Sequence, residues 1–368
     1  MDLPTQFQTF LSNIEPTDYQ RDEFIRGHRT LRQRLDADAD LEPYIITHFL
    51  QGSYRRSTAI RPRAGKKSDV DVVVVTNLNE AHYTPHDALE LFQPFMERHY
   101  PEKWKFNGRS IGIELSYVEL DLVVTSAPSA RQAEVFKSFA FDIFESEEQL
   151  DSAQGAVAFK SYFAKAASEP WRSEPLLIPD RDAREWQRTH PLETIRWTTD
   201  KNQALNKQFV RIVKALKWWR RQHDAPKYPK GYPIEHLVGD ACPEHVGSIA
   251  EGVTRTLETL RDGLWSYAQR GEVPVVPARG VPEVNVLSRL TPEDFVAFFD
   301  LIDDAATTAR QAYDEPNPHE SALLWRSLFG NRFPLPPVSG GTNGGGSTTG
   351  GFTERTSSGS GTERGRFA

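Results

Sequence analysis

Two aspartates one residue apart run directly into four valines, at Asp69-Val70-Asp71-Val72-Val73-Val74-Val75. Valines are stiff at χ1 and suit a strand packed on both faces. Residues two apart on a strand point to one side, so both carboxylates aim at the same spot from a rigid base. Held so close they repel, and their pKa values must separate unless a cation lies between them. Just upstream, Gln51-Gly52-Ser53 reads as a Gly-Ser turn, and it is followed by the basic stretch Arg-Pro-Arg-Ala-Gly-Lys-Lys at 61–67. A metal on the aspartates and an anion on the turn would balance each other's charge. The expectation is a phosphoryl-transfer site.

The surroundings read as follows. Residues from about Leu3 to Leu35 are expected to be helical, with Asp18 capping a second segment. Tyr44 to Leu50 is a short strand leading into Gly52. A helix starts at Thr84-Pro85, and Ser110–Leu115 and Tyr117–Thr125 are two further strands, the second carrying Asp121 among apolar neighbours. The signal weakens between Ala133 and Arg181. An irregular stretch then leads to the strongest helix, Asn202 to Gln222. Phe209, Ile212, Val213, Leu216 and Trp219 form its apolar stripe, opposite Lys207, Arg211, Lys214, Lys217 and Arg221. Further helices are expected at Ser248–Arg270, Pro292–Tyr313 and Ser321–Phe329, and no internal repeat is present. From Ser339 to Ala368, ten of thirty residues are glycine, and such a segment cannot bury enough surface to offset its ordering entropy.

Composition narrows the class. With 44 basic and 51 acidic residues the net charge is −7, so any polyanion site is a local basic groove. The single cysteine, Cys242, excludes an internal disulfide and thiolate zinc sites, and fits a reducing cytoplasm. No signal peptide or bilayer-spanning run is evident, so a cytoplasmic protein without membrane contact is expected.

With 51 acidic residues, an Asp-x-Asp alone is uninformative. Gly52-Ser53, then Asp69-x-Asp71 on one strand, then Asp121 on a later one, together resemble the polymerase β-like nucleotidyltransferases. GSYRRSTAIRP, SDVDVVVV and SIGIELSYVELDLVVT resemble the bacterial cGAS/DncV-like nucleotidyltransferases of antiphage systems. RIVKALKWW with KGYPIEHL resembles the second lobe shared with oligoadenylate synthases, and the terminal GRFA is similar to clade D. The resemblance covers roughly Leu3 to Pro337.

It implies an α/β (α+β) fold: a catalytic lobe with a mixed sheet at 1–155 (N-terminal helices bracing both lobes), a helical nucleotide-binding lobe at 156–338, and a flexible tail at 339–368. It also implies a cyclic oligonucleotide synthase making a second messenger from ATP and GTP or other nucleoside triphosphates, such as cyclic AMP-AMP-GMP, for a separate antiphage effector. Asp69, Asp71 and Asp121 would hold two Mg²⁺, or Mn²⁺, and carry out nucleotidyl transfer. Gly52 and Ser53 would meet the triphosphate. Lys217 would reach its β- and γ-phosphates, with Lys214 at the acceptor, and Tyr232 would stack on a base. Gly231 stands where many relatives carry serine.

Other readings stay open. The lysines fit a solvated helix face, and Tyr232 a packed turn. Gln51, Arg55, Arg56 and Arg196 fit phosphate, base, surface or a lobe-to-lobe ion pair. Trp218, on the basic arc, is a candidate platform. The activity could be linear oligoadenylate synthesis or nucleotidyl transfer to RNA or protein, or the chain could be a silent sensor or scaffold. By clade, Ala368 is a candidate for conjugation by a ubiquitin-transfer-like accessory enzyme.

Overall fold

The computed structural model describes residues 1–337 apart from positions 64, 128, 131, 134, 135 and 137–173. The glycine-rich tail and Ala368 therefore lie outside the described residues, as does much of the weak stretch after Ala133. Met1–Pro336 forms one compact unit.

The chain opens with α1 (Pro4–Ile14) and α2 (Asp18–Asp36). Thr17, not Asp18, caps α2: its hydroxyl accepts from the Gln20 amide while the Gln20 side chain accepts from the Thr17 amide. β1 (Ile45–Gln51) follows, then one helical turn, α3 (Gly52–Arg55), and β2 (Asp69–Thr76). α4 (Pro85–Glu90) and α5 (Gln93–His99) precede β3 (Trp104–Phe106), β4 (Ile111–Glu114) and β5 (Glu119–Ser126).

Beyond the undescribed segment the weak region yields two strands, β6 (Leu176–Asp180) and β7 (Glu185–Thr189). The stretch read as irregular is a helix, α6 (Pro191–Ala204), opened by His190 accepting from the Glu193 amide. Positive φ at Asn206 and Lys207 separates it from α7 (Gln208–Arg221), so the expected single helix from Asn202 is two. α8 (Gly231–Ala241), α9 (Ile249–Arg270), the hairpin β8 (Pro277–Ala278) and β9 (Val281–Asn285), α10 (Pro292–Asp314) and α11 (Pro318–Phe329) complete it.

Among the described residues the main sheet is mixed and has seven strands, ordered β1-β2-β5-β4-β3, with β6 and β7 continuing from β5. Of its described strand pairs, only β2 and β5 run parallel. Strand alternation separates its two faces. Val70, Val72, Val74, Leu120, Leu122 and Val124 pack with Phe24 and Leu31 of α2 and Phe92 and Phe95 beside and within α5. Val73, Val75 and Val123 pack with Leu176, Leu192 and Ile195. The sheet half thus includes β6 and the start of α6, beyond residue 155. The helical half has its own core, which α1 joins: Phe10 stacks on Phe329 at 4.5 Å, and Phe7 meets Trp325 edge-on at 5.0 Å. No described helix is long and apolar enough to cross a membrane.

One buried group gives a pH prediction. His28 of α2 is 0 % exposed, and among the described residues neither ring nitrogen has a hydrogen-bond partner. Burial, then Arg32 and Arg29, push its pKa from 6.5 down to about 3. The unfolded chain takes up this proton from about pH 6.5 downward and the folded chain does not, so stability falls with pH between those values. At pH 5 the cost is on the order of 2 kcal/mol. His28→Leu should remove that part of the acid sensitivity, seen as a smaller loss of urea midpoint between pH 7.5 and pH 5.

Candidate active site

The register of β2 and β5 builds the centre. Asp71 pairs with Asp121, and Asp69 with Glu119, so the carboxylates stand side by side on neighbouring parallel strands. They occupy the Val73–Val123 face, at the strand starts, just before the apolar packing against α6 begins. Val72 to Val75 are all 0 % exposed, which makes the base under them rigid. A cleft of about 880 Å³ opens there, lined by Gln51, Gly52, Ser53, Asp69, Asp71 and Asp121 on the sheet side. Lys217, Arg220, Arg221, Lys230, Gly231 and Tyr232 line the helical side, with His190, Thr194, Val281 and Val284 from α6 and the hairpin.

Burial, then the charge of Asp121, pushes Asp69 up to about 7 and Asp71 up to about 6. Burial raises Asp121 as well, opposed by hydrogen bonds from Ser110 and Asn107. The set holds more negative charge than the site itself neutralises. Its donors are all carboxylate oxygens, which suit Mg²⁺ or Mn²⁺. Among the described residues no three His, Cys, Asp or Glu side chains are gathered closely enough to hold an ion as they stand. The strands fix the direction of the donors, and rotation of the Asp69 and Asp71 side chains would close the set on a cation.

Gly52 has φ +76°, and a Cβ there would overlap the Asp71 carboxylate. Only glycine combines that backbone with that approach. The expected turn is the first turn of α3, and the Ser53 hydroxyl makes no hydrogen bond among the described residues, leaving it available to a ligand. Gly52→Ala should displace Asp71 and lower turnover about 100-fold, while far-ultraviolet circular dichroism stays as in the parent. Gln51 also lies in the cleft, paired with Asp71 across β1 and β2.

The helical wall is organised by Glu235, which the sequence reading did not single out. Its Oε1 accepts from Lys217 Nζ at 2.7 Å and Thr58 Oγ1 at 2.8 Å, and its Oε2 from Arg56 Nε at 2.9 Å. Lys217 also donates to the Thr58 carbonyl at 2.9 Å. Burial raises the Glu235 carboxyl, but Arg56 and Lys217 outweigh it and hold it at about 2. Lys217 is thus a buried lysine at the cleft wall, its pKa lowered by burial and supported by Glu235, with two hydrogen bonds already made, and not part of a solvated face. A Cβ on Gly231 would lie 3.2 Å from Lys217 Cε, so glycine leaves the lysine room. Gly231 also begins α8, whose N-terminus has no side-chain cap and adds backbone amides that favour an anion. Arg56 is both a cleft residue and an ion pair between the halves, 5.6 Å from the Tyr232 ring centre. Tyr232 is 41 % exposed in the cleft, its ring set edge-on against His236 at 4.5 Å.

Four candidates lie elsewhere. Lys214 is buried and donates to Glu15 at the end of α1 at 2.7 Å, because its position on α7 faces α1 and not the cleft. Arg196 pairs with Glu193 and Asp200 on its own helix and does not line the cleft. The Trp218 indole donates to the Phe329 carbonyl at 2.9 Å and packs on the helical core. Arg55 is buried in α3 outside the lining.

Comparison with known proteins gives the family. The model of the Second Messenger Oligonucleotide or Dinucleotide Synthetase domain matches residues 1–151. A probable cyclic AMP-AMP-GMP nucleotide synthase of Salmonella paratyphi B is 44 % identical, covering 100 % of both chains. A cyclic AMP-AMP-GMP synthase of Enterobacter hormaechei is 45 % identical over 95 % of this chain and 96 % of its own. Among solved structures, the Bradyrhizobium diazoefficiens CD-NTase CdnG in complex with GTP shares the fold at a TM-score of 0.65 and 13 % identity, over 89 % of this chain and 95 % of that one. Vibrio cholerae DncV, a cyclic AMP-GMP synthase in complex with a linear intermediate, does so at 0.59 and 15 %, over 88 % and 93 %. With a polymerase β-like sheet carrying paired carboxylates and relatives this similar over their full length, the chain belongs to the cGAS/DncV-like nucleotidyltransferases and is a cyclic oligonucleotide synthase.

Proposed function

We propose that this enzyme joins ATP and GTP into a cyclic trinucleotide, cyclic AMP-AMP-GMP or a close variant, through attack of a ribose hydroxyl on an α-phosphate with pyrophosphate leaving. The observation that carries the site assignment is the Asp71–Asp121 register at the floor of the cleft. The names of two full-length relatives support the product. Asp69, Asp71 and Asp121 would hold two Mg²⁺, which when bound would neutralise the triphosphate and activate the hydroxyl.

The chain's own residues do the rest. Ser53 and the α3 backbone receive the triphosphate, Lys217 offers its remaining proton to it, and Tyr232 gives a nucleobase a braced aromatic face. Arg56, beside Asp71, tempers the negative charge of the floor. In this reading the product activates a separate effector in phage defence, and conjugation at Ala368 belongs to the same clade resemblance.

Incubating purified protein with Mg²⁺ and each pair of α-³²P-labelled nucleoside triphosphates tests the reaction. The expected outcome is a phosphatase-resistant product that takes label from both ATP and GTP. A phosphatase-sensitive ladder from ATP alone would mean linear oligoadenylate synthesis instead.

A further inference from the structure

We propose that Asn107 and Ser110 are positioning residues that lock the Asp121 carboxylate in one orientation, so that only its Oδ2 is offered to a cation. The proposal rests on the metal-binding reading of Asp69, Asp71 and Asp121 above. Asn107 Nδ2 donates to Asp121 Oδ1 at 3.0 Å, and Ser110 Oγ donates to the same oxygen at 2.9 Å. No hydrogen bond reaches Oδ2 among the described residues. Asp69 and Asp71 have no comparable pair of neutral side-chain donors there, so the clamp singles out the third aspartate.

The turn that carries the two donors is built to hold them. It closes on itself through the Asn107 amide and the Ser110 carbonyl at 2.9 Å. It is tied to the β6–β7 hairpin twice, by Arg109 Nε to Asp180 Oδ2 at 2.6 Å and by the Arg181 amide to the Gly108 carbonyl at 2.8 Å. Gly112 on β4 pairs with Asp121, and a Cβ there would come within 2.9 Å of Asn107 Nδ2, so glycine leaves the amide its path.

The physical consequence is specific. Two neutral donors on one oxygen stop rotation of the carboxylate and disfavour bidentate chelation without cancelling its charge. Asp121 would then serve as a one-oxygen ligand whose direction is set before Asp69 and Asp71 receive an ion. A turn serving only the fold would contribute to stability and leave metal affinity unchanged.

Mn²⁺ alone, titrated into the full-length protein and read from the electron paramagnetic resonance signal of free Mn²⁺, tests this without any turnover. Asn107→Ala with Ser110→Ala should weaken Mn²⁺ binding about tenfold or more, as loss of outer partners of a ligand does. Ser110→Thr keeps the hydroxyl and should bind nearly as the parent does. Ser110→Ala alone, a smaller change, gives the same direction if the double variant folds poorly by circular dichroism. In turnover assays the KM for Mg²⁺ should rise, with kcat recovering at saturating Mg²⁺. Parent-like Mn²⁺ affinity in both alanine variants, while Asp121→Asn binds weakly, overturns the clamp and spares the metal reading. Parent-like affinity in Asp121→Asn removes the metal reading itself, and the clamp with it.

Discussion

Asp71→Asn should lower nucleoside triphosphate turnover by about a thousandfold or more while making the metal-free protein more stable. The first effect follows because the carboxylate would hold a metal at the reacting phosphate, a contribution of several kcal/mol to the transition state. The second comes from the site's electrostatics. Asp71 is raised to about 6, first by burial and then by Asp121. The folded state therefore holds this proton more tightly than the unfolded chain, and the associated stability is lost as pH rises through about 6. At pH 8 the ionised group is a cost, which asparagine removes. In EDTA at pH 8 the variant's Tm should exceed the parent's, and Mg²⁺ should raise the parent's Tm more than the variant's. A solvated surface carboxylate would show neither change.

Glu235→Ala should destabilise the protein by about 3–5 kcal/mol, the usual effect of stripping the partner from a buried charge. Here two cations lose it, since Arg56 and Lys217 share this one carboxylate. The Thr58 hydroxyl also loses its acceptor. Because Arg56 and Thr58 follow α3, Lys217 lies on α7 and Glu235 on α8, the hub fixes the distance between the two walls of the cleft. Urea unfolding should show the loss of stability. Glu235→Gln should fall between, because its amide keeps one acceptor but turns an NH₂ group toward a cation. A decrease below about 1 kcal/mol in the alanine variant would show that the three groups are not coupled as their geometry implies.

The floor of the site was legible in the sequence because it is local. Asp69, Asp71 and the valines follow from strand alternation, and Asp121 lies in a second apolar strand of the same kind. The necessity of Gly52 was only half legible. Its backbone freedom is a property of the residue, but the Asp71 carboxylate that excludes a Cβ comes from another strand. The helical wall depends on pairings that spacing does not encode. Arg56 meets Glu235 from 179 residues away, and Lys214 meets Glu15 from 199. Helical periodicity sorts Lys214 and Lys217 onto one side of α7 without telling that one faces α1 and the other the cleft.

Arg196 illustrates a signal that was present and unread. Its partners Glu193 and Asp200 sit three and four residues away, the spacing of helix ion pairs. Pro191 at the first helical position and Glu193 in the first turn mark the start of α6. Its weak amphipathicity and threonine-rich sequence hid the helix. β6 was obscured differently: it contains Pro179 and, among the described residues, pairs with β5 at the single position Ser126–Leu177, so strand alternation had little to act on.

Everything at the site depends on one assignment, that the three aspartates would hold the metals of nucleotidyl transfer. Its most direct test is a crystal structure with Mn²⁺ and a non-hydrolysable ATP analogue, read from anomalous scattering. Manganese peaks are expected at Asp69 and Asp71, one of them also at Asp121, with the triphosphate between them and Ser53. A triphosphate seated in the cleft with its manganese away from all three carboxylates would contradict it.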